Sequence, residues 1–266
     1  MYKVGIFDSG VGGLTVLKKI NEKIPNSHIL YYGDSINAPY GDMEEVDIKN
    51  LCLKIGAFLY RNQVDAIVIA CNTATAASIA ELKEKFPIPI IGTIEPGVKA
   101  ALKTTKNGCV AVIATPASVK MNAYKNIFDI HAPENNTLIQ KDCKLLCPMI
   151  EKGWEELHGN YLTDEIIRLY LETIPERVDT LVLGCTHYPI IKENISKYFK
   201  KNIVDPASET AEELLRKLSK SRPKNAHLEE GKLEFIVSGD KDLFLNFAEP
   251  FLGKKIEKIY NLNLNS

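Results

Sequence analysis

The sequence predicts an α/β protein built from two similar domains with mainly parallel sheets, and three observations support this fold class. The first is an internal repeat, in which VDAIVIACNTATAA begins at Val64 and VDTLVLGCTHYPII begins at Val178. The second is the composition of each apolar run, which is short and rich in Ile, Val and Leu, as buried parallel strands are. The third is the length of 266 residues, which suits two domains of ordinary size. The repeat therefore predicts two halves related by a pseudo-twofold axis.

The first half alternates strands with helices. KVGIFD at residues 3–8 predicts a strand, and DSGVGGLTVLKKI predicts a glycine-rich turn that leads into a helix. Gly10, Gly12 and Gly13 allow the backbone to approach a ligand at the helix N-terminus, but their spacing is not that of a nucleotide-binding motif. The segments predicted next are a strand HILYYGD, a turn SINAPYG, a helix from Glu44 to Asn62, a helix NTATAASIAELKEKF ended by Pro87, and a strand PIPIIGTIEP.

The second half repeats this order. CVAVIATPASV at residues 109–119 mirrors the first strand and its turn, and LIQKDCKLLCPMIEKGW takes the position of the second strand and its loop. Between these two segments MNAYKNIF predicts a helix. The segments predicted next are a helix from Thr163 to Thr173, a helix YPIIKENISKYF and a strand KNIVDPASE. The tail then predicts a helix at 211–219, a polar connector SRPKNAHLEEG, a strand LEFIVSGD and a short helix at 242–252. If each half passes a helix to the other, the predicted domains are 1–95 with 206–266, and 96–205.

Charge and composition indicate a small-molecule partner. Lys plus Arg total 33 and Asp plus Glu total 34, so the formal net charge of -1 predicts no binding to nucleic acid or to an anionic membrane. The N-terminal MYKVGIFDSG enters a strand without a signal-peptide pattern, and no apolar run approaches the ~20 residues of a membrane span. We therefore expect a cytoplasmic protein.

A cytoplasmic location predicts that the six cysteines are reduced thiols. Cys143 and Cys147 with His158 lack the two-pair spacing of a zinc site, and no CxxC motif is present. We therefore expect no metal and no cofactor to take part in the reaction.

Cys71 and Cys185 are the candidate reactive groups, because each follows a predicted buried strand at the end where open α/β sheets bind ligands. Two thiols on opposite sides of one site suit the inversion of a carbon stereocentre, in which one group removes a proton and another returns one to the opposite face. A thiol can serve as base or acid, with an ordinary pKa near ~8.5. The alternative is that both are small core residues.

Charged residues near the two thiols are candidates to assist proton transfer. Asp8 and Ser9 end the first strand beside Cys71, and Asp8 could bind a substrate ammonium group or be a helix N-cap. His187 has the same place beside the second thiol, and its alternative is an ordinary core or surface histidine. Glu151 is either a supporting acid or a carboxylate at a helix start.

Polar residues beside the thiols are candidates to bind substrate carboxylates. Asn72, Thr73 and Thr186 offer side-chain and backbone donors, and their alternative role is helix capping. Tyr40 and Gly41 lie in a loop at the same edge, where the glycine exposes its N–H to a ligand; the alternative is a simple turn.

The motifs GIFDSGVGGLTVL, YYGDSINAPYG, ACNTATAA, MIEKGW, GCTHYPI and FIVSGD, in this order over nearly the whole chain, resemble the aspartate/glutamate racemase family. The resemblance implies two α/β domains with the active site in the cleft between them, commonly in a homodimer. It implies cofactor-independent interconversion of L-glutamate and D-glutamate, which supplies D-glutamate for peptidoglycan.

The resemblance also implies a role for each candidate residue. Cys71 would act on D-glutamate and Cys185 on L-glutamate. Proton transfer would be assisted by Asp8, His187 and Glu151. The substrate would be bound by Asp8, Ser9, Tyr40, Gly41, Asn72, Thr73, Thr186 and His187. Two alternatives stay open: a racemase for aspartate or another amino acid, and a non-catalytic amino-acid-binding regulatory module.

Overall fold

The structure is a computed structural model that describes residues 1–153, 161–220 and 231–264. Among the features predicted from sequence, Trp154, His158 and residues 221–230 of the polar connector lie outside the described residues. None of the described helices has both the length and the apolar composition needed to cross a membrane.

A six-stranded parallel sheet contains the N-terminal strands and the C-terminal tail. Its strands in spatial order are β10 (Ile259–Asn261), β9 (Leu233–Val237), β2 (His28–Gly33), β1 (Lys3–Asp8), β3 (Ala66–Ile69) and β4 (Ile90–Gly92). The apolar run before Cys71 is buried on both faces of this sheet, as its continuous hydrophobic composition predicts.

A four-stranded parallel sheet contains the middle of the chain. Its strands in spatial order are β6 (Thr137–Asp142), β5 (Cys109–Ala114), β7 (Thr180–Gly184) and β8 (Asn202–Val204). The second apolar run of the repeat forms β7, which occupies the same place beside β5 that β3 occupies beside β1. The predicted α/β class with mainly parallel sheets is confirmed.

Helices cover both faces of each sheet. They are α1 (Leu14–Lys23), α2 (Glu45–Arg61), α3 (Asn72–Lys85), α4 (Ile94–Thr104), α5 (Pro116–Lys120), α6 (Ala123–His131), α7 (Leu146–Gly153), α8 (Tyr161–Leu171), α9 (Lys192–Tyr198), α10 (Pro206–Leu218) and α11 (Lys241–Leu252). Separate apolar cores lie on the two faces of the first sheet and on the two faces of the second. Each fully buried Val, Leu or Ile side chain in these cores contributes about 1.5–3 kcal/mol.

Four elements differ from the sequence prediction. Residues 146–153 form α7 rather than a loop, because Leu146 and Ile150 lie four residues apart and pack on one helix face in the core. The segment predicted as a strand around KNIVDPASE contains only the short β8, because Pro206 starts α10 and Asp205 caps it by accepting the Ala207 N–H at 2.9 Å. The helix α4 and the strand β10 were not predicted.

The register of the parallel strands brings equivalent residues together at the two sheet edges. Phe7 pairs with Ile69, so the register continued by two residues sets Ser9 beside Cys71. Ala114 pairs with Gly184, so the next position sets Thr115 beside Cys185. This edge carries the carboxyl ends of the strands, where open α/β sheets bind ligands. We propose that the two sheets belong to two domains with the boundaries expected from sequence.

Candidate active site

A cavity lies between the carboxyl edges of the two sheets and is lined by residues from both halves. From the first half it is lined by Ser9, Tyr40, Gly41, Cys71, Asn72 and Thr73. From the second half it is lined by Glu151, Cys185, Thr186 and His187. Ten of the eleven residues singled out from sequence therefore share one cavity; Asp8 is not among the described lining residues.

Cys71 is the N-cap residue of α3. Its sulfur accepts the Ala74 N–H at 3.4 Å and the Ser9 hydroxyl at 3.7 Å. Burial, followed by the nearby Asp8, raises the pKa of the Cys71 thiol to about 12. The free N–H groups at the start of a helix favour a negative charge, so this position opposes part of that effect.

Cys185 lies at the end of β7 in a different polar environment. Its sulfur is 3.6 Å from Nδ1 of His187 and 3.2 Å from the sulfur of Cys147 on α7. Burial, followed by the contact with Cys147, raises the pKa of the Cys185 thiol well above its ordinary value, whereas His187 lowers it. The imidazole is therefore the group that favours a thiolate at this position.

The buried His187 and the partly exposed Glu151 form an ion pair behind Cys185. Nε2 of His187 lies 3.0 Å from Oε1 of Glu151, but the N–H of the ring does not point at this oxygen closely enough to form a hydrogen bond. Burial opposes charge on the imidazole, but its contacts with Cys185 and Glu151 raise the pKa of His187 well above its ordinary value. Burial also opposes charge on Glu151, yet His187 holds the pKa of this carboxyl below its ordinary value. The protonated imidazole of this pair places a positive charge next to Cys185.

Asp8 is fully buried beneath the glycine-rich turn. Its carboxylate accepts the Gly10 N–H at 2.9 Å and the Thr186 hydroxyl at 3.2 Å. Burial raises the pKa of Asp8, and the charge of His187 opposes this rise. Asp8 does not cap α1, whose N-cap residue is Gly13. The carboxylate instead holds the turn against the strand that ends at Cys185.

Asn72 and Thr73 present amide and hydroxyl groups from the first turn of α3. The Asn72 Oδ1 accepts the Tyr124 hydroxyl at 2.7 Å and the Thr93 hydroxyl at 3.0 Å. These two bonds to the amide oxygen fix the plane of the amide. The Thr73 and Thr115 hydroxyls are 2.9 Å apart. The cavity therefore has an oriented amide donor and a hydroxyl pair from both halves.

Tyr40 and Gly41 bring the loop after β2 over the cavity. The Tyr40 hydroxyl donates to Asp34 at 2.5 Å and its ring is buried, which fixes the loop. A Cβ added to Gly41 would lie 3.2 Å from Cβ of Thr115, so the glycine permits the loop to contact the second half. The pair is more than a simple turn, since it forms part of the cavity wall.

The glycine-rich turn also contacts the second half directly. A Cβ added to Gly12 would lie 2.4 Å from Oγ1 of Thr186 and 2.6 Å from Cε1 of His187. The Thr15 hydroxyl donates to the backbone oxygen of Thr186 at 3.0 Å. The turn predicted as a ligand-binding loop is therefore a close contact between the two halves beside Cys185.

The lining residues that were not identified from sequence include Thr115, Lys144 and Cys147. Thr115 is the counterpart of Ser9, and the mirrored segment CVAVIATPASV contained the signal that could have found it. Cys147 was noted only as part of an unconvincing zinc pattern with His158, which lies outside the described residues. Lys144 had no sequence signal, because its place depends on the start of α7.

Comparisons with known proteins agree with the motif resemblance. The sequence model of the family described as Asp/Glu/Hydantoin racemase matches residues 4–214. A glutamate racemase of Fusobacterium nucleatum is 42% identical over 98% of this chain and 97% of its own. The crystal structure of a glutamate racemase isoform from Bacillus anthracis has a TM-score of 0.90 at 32% identity, covering 99% of this chain and 98% of its own.

A second crystal structure adds a bound ligand to the comparison. The glutamate racemase from Francisella tularensis in complex with D-glutamate has a TM-score of 0.90 at 31% identity, and the match covers 99% of this chain and 98% of that one. A match over 99% of the chain includes both sheets. The chain belongs to the Asp/Glu/hydantoin racemase family.

Proposed function

We propose that the protein interconverts L-glutamate and D-glutamate by proton transfer between the substrate α-carbon and two thiols, without a cofactor. The observation that carries this proposal is the presence of Cys71 and Cys185 at equivalent strand ends on one cavity. The similarity to the Fusobacterium nucleatum and Francisella tularensis glutamate racemases supports glutamate as the substrate. The product would supply D-glutamate for peptidoglycan.

In the direction from L-glutamate, the Cys185 thiolate removes the α-proton and Cys71 donates a proton to the opposite face. The enzyme is left with a thiol at Cys185 and a thiolate at Cys71, and exchange of both groups with solvent restores the starting state. In the direction from D-glutamate, the Cys71 thiolate removes the α-proton and Cys185 donates a proton to the opposite face. General acid–base catalysis of this kind contributes about 10²–10⁴-fold to a rate.

The weak acidity of the α-proton requires stabilisation of the charge that develops on the substrate carboxylate. Asn72 and Thr73 line the cavity from α3 and would bind that carboxylate through the amide nitrogen and the hydroxyl. Ser9, Tyr40, Gly41 and Thr186 would complete the enclosure. Lys144 adds a positive charge suited to the second carboxylate of a dicarboxylic substrate. This charge favours glutamate or aspartate over neutral amino acids.

The charged residues behind the site would act through the thiols. His187, paired with Glu151 at 3.0 Å, lies 3.6 Å from Cys185 and would stabilise its thiolate. Asp8 would position Thr186 and the glycine-rich turn, since its carboxylate contacts both. Asp8 would also act electrostatically on Cys71, whose pKa it raises.

The test is the circular dichroism of L-glutamate incubated with purified protein and no added cofactor. Loss of optical activity is expected with the wild type and not with the Cys71→Ser/Cys185→Ser double variant, which controls for contaminating enzymes. Initial rates with L-aspartate at equal concentration decide the substrate, and a higher rate with aspartate would contradict the proposal. Glutamate binding without turnover would indicate a regulatory binding module instead.

The quaternary structure and location are part of the same proposal. The protein would work as a homodimer, as the family resemblance implies, and sedimentation equilibrium of the purified chain tests this. It would act in the cytoplasm, where its six unpaired cysteines would stay reduced. Fractionation of cells followed by detection of the protein tests the location.

A further inference from the structure

Three soft ligand atoms converge on the Cys185 side of the cavity. The sulfurs of Cys147 and Cys185 are 3.2 Å apart, and the Cys185 sulfur is 3.6 Å from Nδ1 of His187. All three atoms lie within 4.8 Å of one another. The proton-transfer chemistry proposed above uses Cys185 and His187 but gives Cys147 no role.

These separations match the geometry of a tetrahedral zinc site. With Zn–S bonds of about 2.3 Å and Zn–N bonds of about 2.0–2.1 Å, tetrahedral angles place two sulfurs about 3.8 Å apart and a sulfur and a nitrogen about 3.6 Å apart. The observed 3.2 Å and 3.6 Å therefore require side-chain movements of less than about 1 Å. Cys185 and His187, two of the three ligands, lie two residues apart directly after β7, which limits the backbone distortion that metal binding would require.

The imidazole is already oriented as a metal-bound histidine usually is. Nδ1 of His187 faces the sulfurs, and Nε2 lies 3.0 Å from the carboxylate of Glu151. A carboxylate on the second ring nitrogen fixes the tautomer and strengthens the first nitrogen as a ligand. Because Glu151 is on α7 together with Cys147, one helix supplies both a ligand and the supporting carboxylate.

We infer that Cys147, Cys185 and His187 form an inhibitory site for a thiophilic divalent cation, with zinc as the expected occupant. Two thiolates and an imidazole select zinc over magnesium or calcium, which prefer oxygen ligands. The fourth coordination position of the ion would face the cavity and hold water or a substrate carboxylate. Metal binding itself is independent of the proposed racemisation, whereas the inhibition rests on it.

The proton balance explains why the bound ion would stop the reaction. Binding releases one proton from each thiol and the proton on Nδ1 of His187, so the ion replaces up to three protons and no electron is transferred. Cys185 then holds a metal in place of the proton it must exchange with the substrate. Zinc affinity should consequently rise with pH, since each released proton favours binding at higher pH.

The experiment titrates the metal-free, reduced protein with Co²⁺ and follows the thiolate-to-cobalt charge-transfer absorption. The wild type should bind one equivalent, and Zn²⁺ should displace it. Glu151→Gln removes the carboxylate that supports His187 and should weaken cobalt binding by roughly 10–100-fold. Cys147→Ser removes a ligand and should weaken cobalt binding by more than this, at least about 100-fold. Cys143→Ser is the matched control, because Cys143 is a buried cavity thiol outside the ligand set and its loss should leave the cobalt spectrum unchanged.

Equal cobalt affinity in the Cys147→Ser and Cys143→Ser proteins, each shown to be folded by far-ultraviolet circular dichroism, would overturn the site. Loss of the absorption in Cys71→Ser but not in Cys147→Ser would also overturn it, since the ion would then bridge the cavity. A zinc-loaded protein that racemises glutamate at the metal-free rate would overturn the inhibition alone. A protein that binds cobalt as expected but never racemises glutamate would instead overturn the proposed function.

Discussion

Replacement of Gly12 by alanine tests whether the close contact between the two halves sets the geometry beside Cys185. The added Cβ would lie 2.6 Å from Cε1 of His187 and 2.4 Å from Oγ1 of Thr186. Carbon atoms pack no closer than about 3.5 Å, so the Thr186 and His187 side chains, or the segments that carry them, must shift by about 1 Å. The turn cannot yield freely, because the Thr15 hydroxyl ties it to the Thr186 carbonyl at 3.0 Å.

A displacement of this size has an expected cost in rate. A misplacement of about 1 Å can cost about 10²-fold, and a 10²-fold loss corresponds to about 2.7 kcal/mol at 1.36 kcal/mol per factor of ten. We therefore expect kcat/KM for L-glutamate to fall about 10²-fold in Gly12→Ala. Overpacking should also lower the free energy of unfolding by about 1–3 kcal/mol.

Gly10→Ala is the matched control in the same turn. A Cβ at Gly10 would have Glu151 Oε1 at 3.7 Å as its nearest neighbour, which is ordinary van der Waals contact. Rates are measured by circular dichroism with both enantiomers, and the unfolding free energy by urea titration. A wild-type rate in Gly12→Ala, or equal losses in Gly12→Ala and Gly10→Ala, would refute the argument that steric fit at Gly12 positions the catalytic groups.

Three further predictions concern the thiols and the ion pair behind them. In D₂O at low conversion, D-glutamate formed from L-glutamate should carry deuterium at the α-carbon because Cys71 exchanges with solvent; unlabelled D-glutamate in mass spectra would indicate one shared base. Alkylation of Cys71 or Cys185 should abolish racemisation and be prevented by glutamate, whereas labelling of Cys52 should be unaffected by substrate; equal labelling of all three with and without glutamate would contradict this. The contacts of His187 raise its pKa, so its stabilising charge is present below about pH 6.5 and lost only as the pH rises through the raised value. Glu151→Gln should move the His187 titration to lower pH in NMR spectra, and an unchanged titration would show that the ion pair does not set this pKa.

The sequence was sufficient for the repeated strands and for the position of a cysteine at the end of each, because this pattern is encoded locally and twice. An apolar run that ends in a cysteine specifies a buried strand and the edge at which it stops, so Cys71 and Cys185 were found without tertiary information. Ser9 was found because Asp8 precedes it and marks a polar turn. Thr115 follows Ala114 instead and was missed, although the strand register makes it the counterpart of Ser9.

The features missed by the sequence analysis depend on packing between distant segments. The helix α7 turns Cys147 towards Cys185 and Glu151 towards His187, and neither contact follows from the spacing of these residues in the chain. The burial of Asp8 likewise results from the way the glycine-rich turn closes over it, which residue type alone does not determine.

The two halves of the site are equivalent in backbone but unequal in charge, and this inequality has a defined kinetic consequence. Cys71 has the carboxylate of Asp8 nearby, which disfavours its thiolate, whereas Cys185 has the imidazole of His187, which favours one. The enantiomers of glutamate have equal free energies in water, so kcat/KM must be equal in the two directions whatever the site does. Unequal stabilisation of the two thiolates can therefore make the two kcat values differ only if the two KM values differ in the same ratio. Substitution of His187 should accordingly change the ratio of the two kcat values, whereas the two kcat/KM values should stay equal to each other. This equality holds for any distribution of charge around the two thiols.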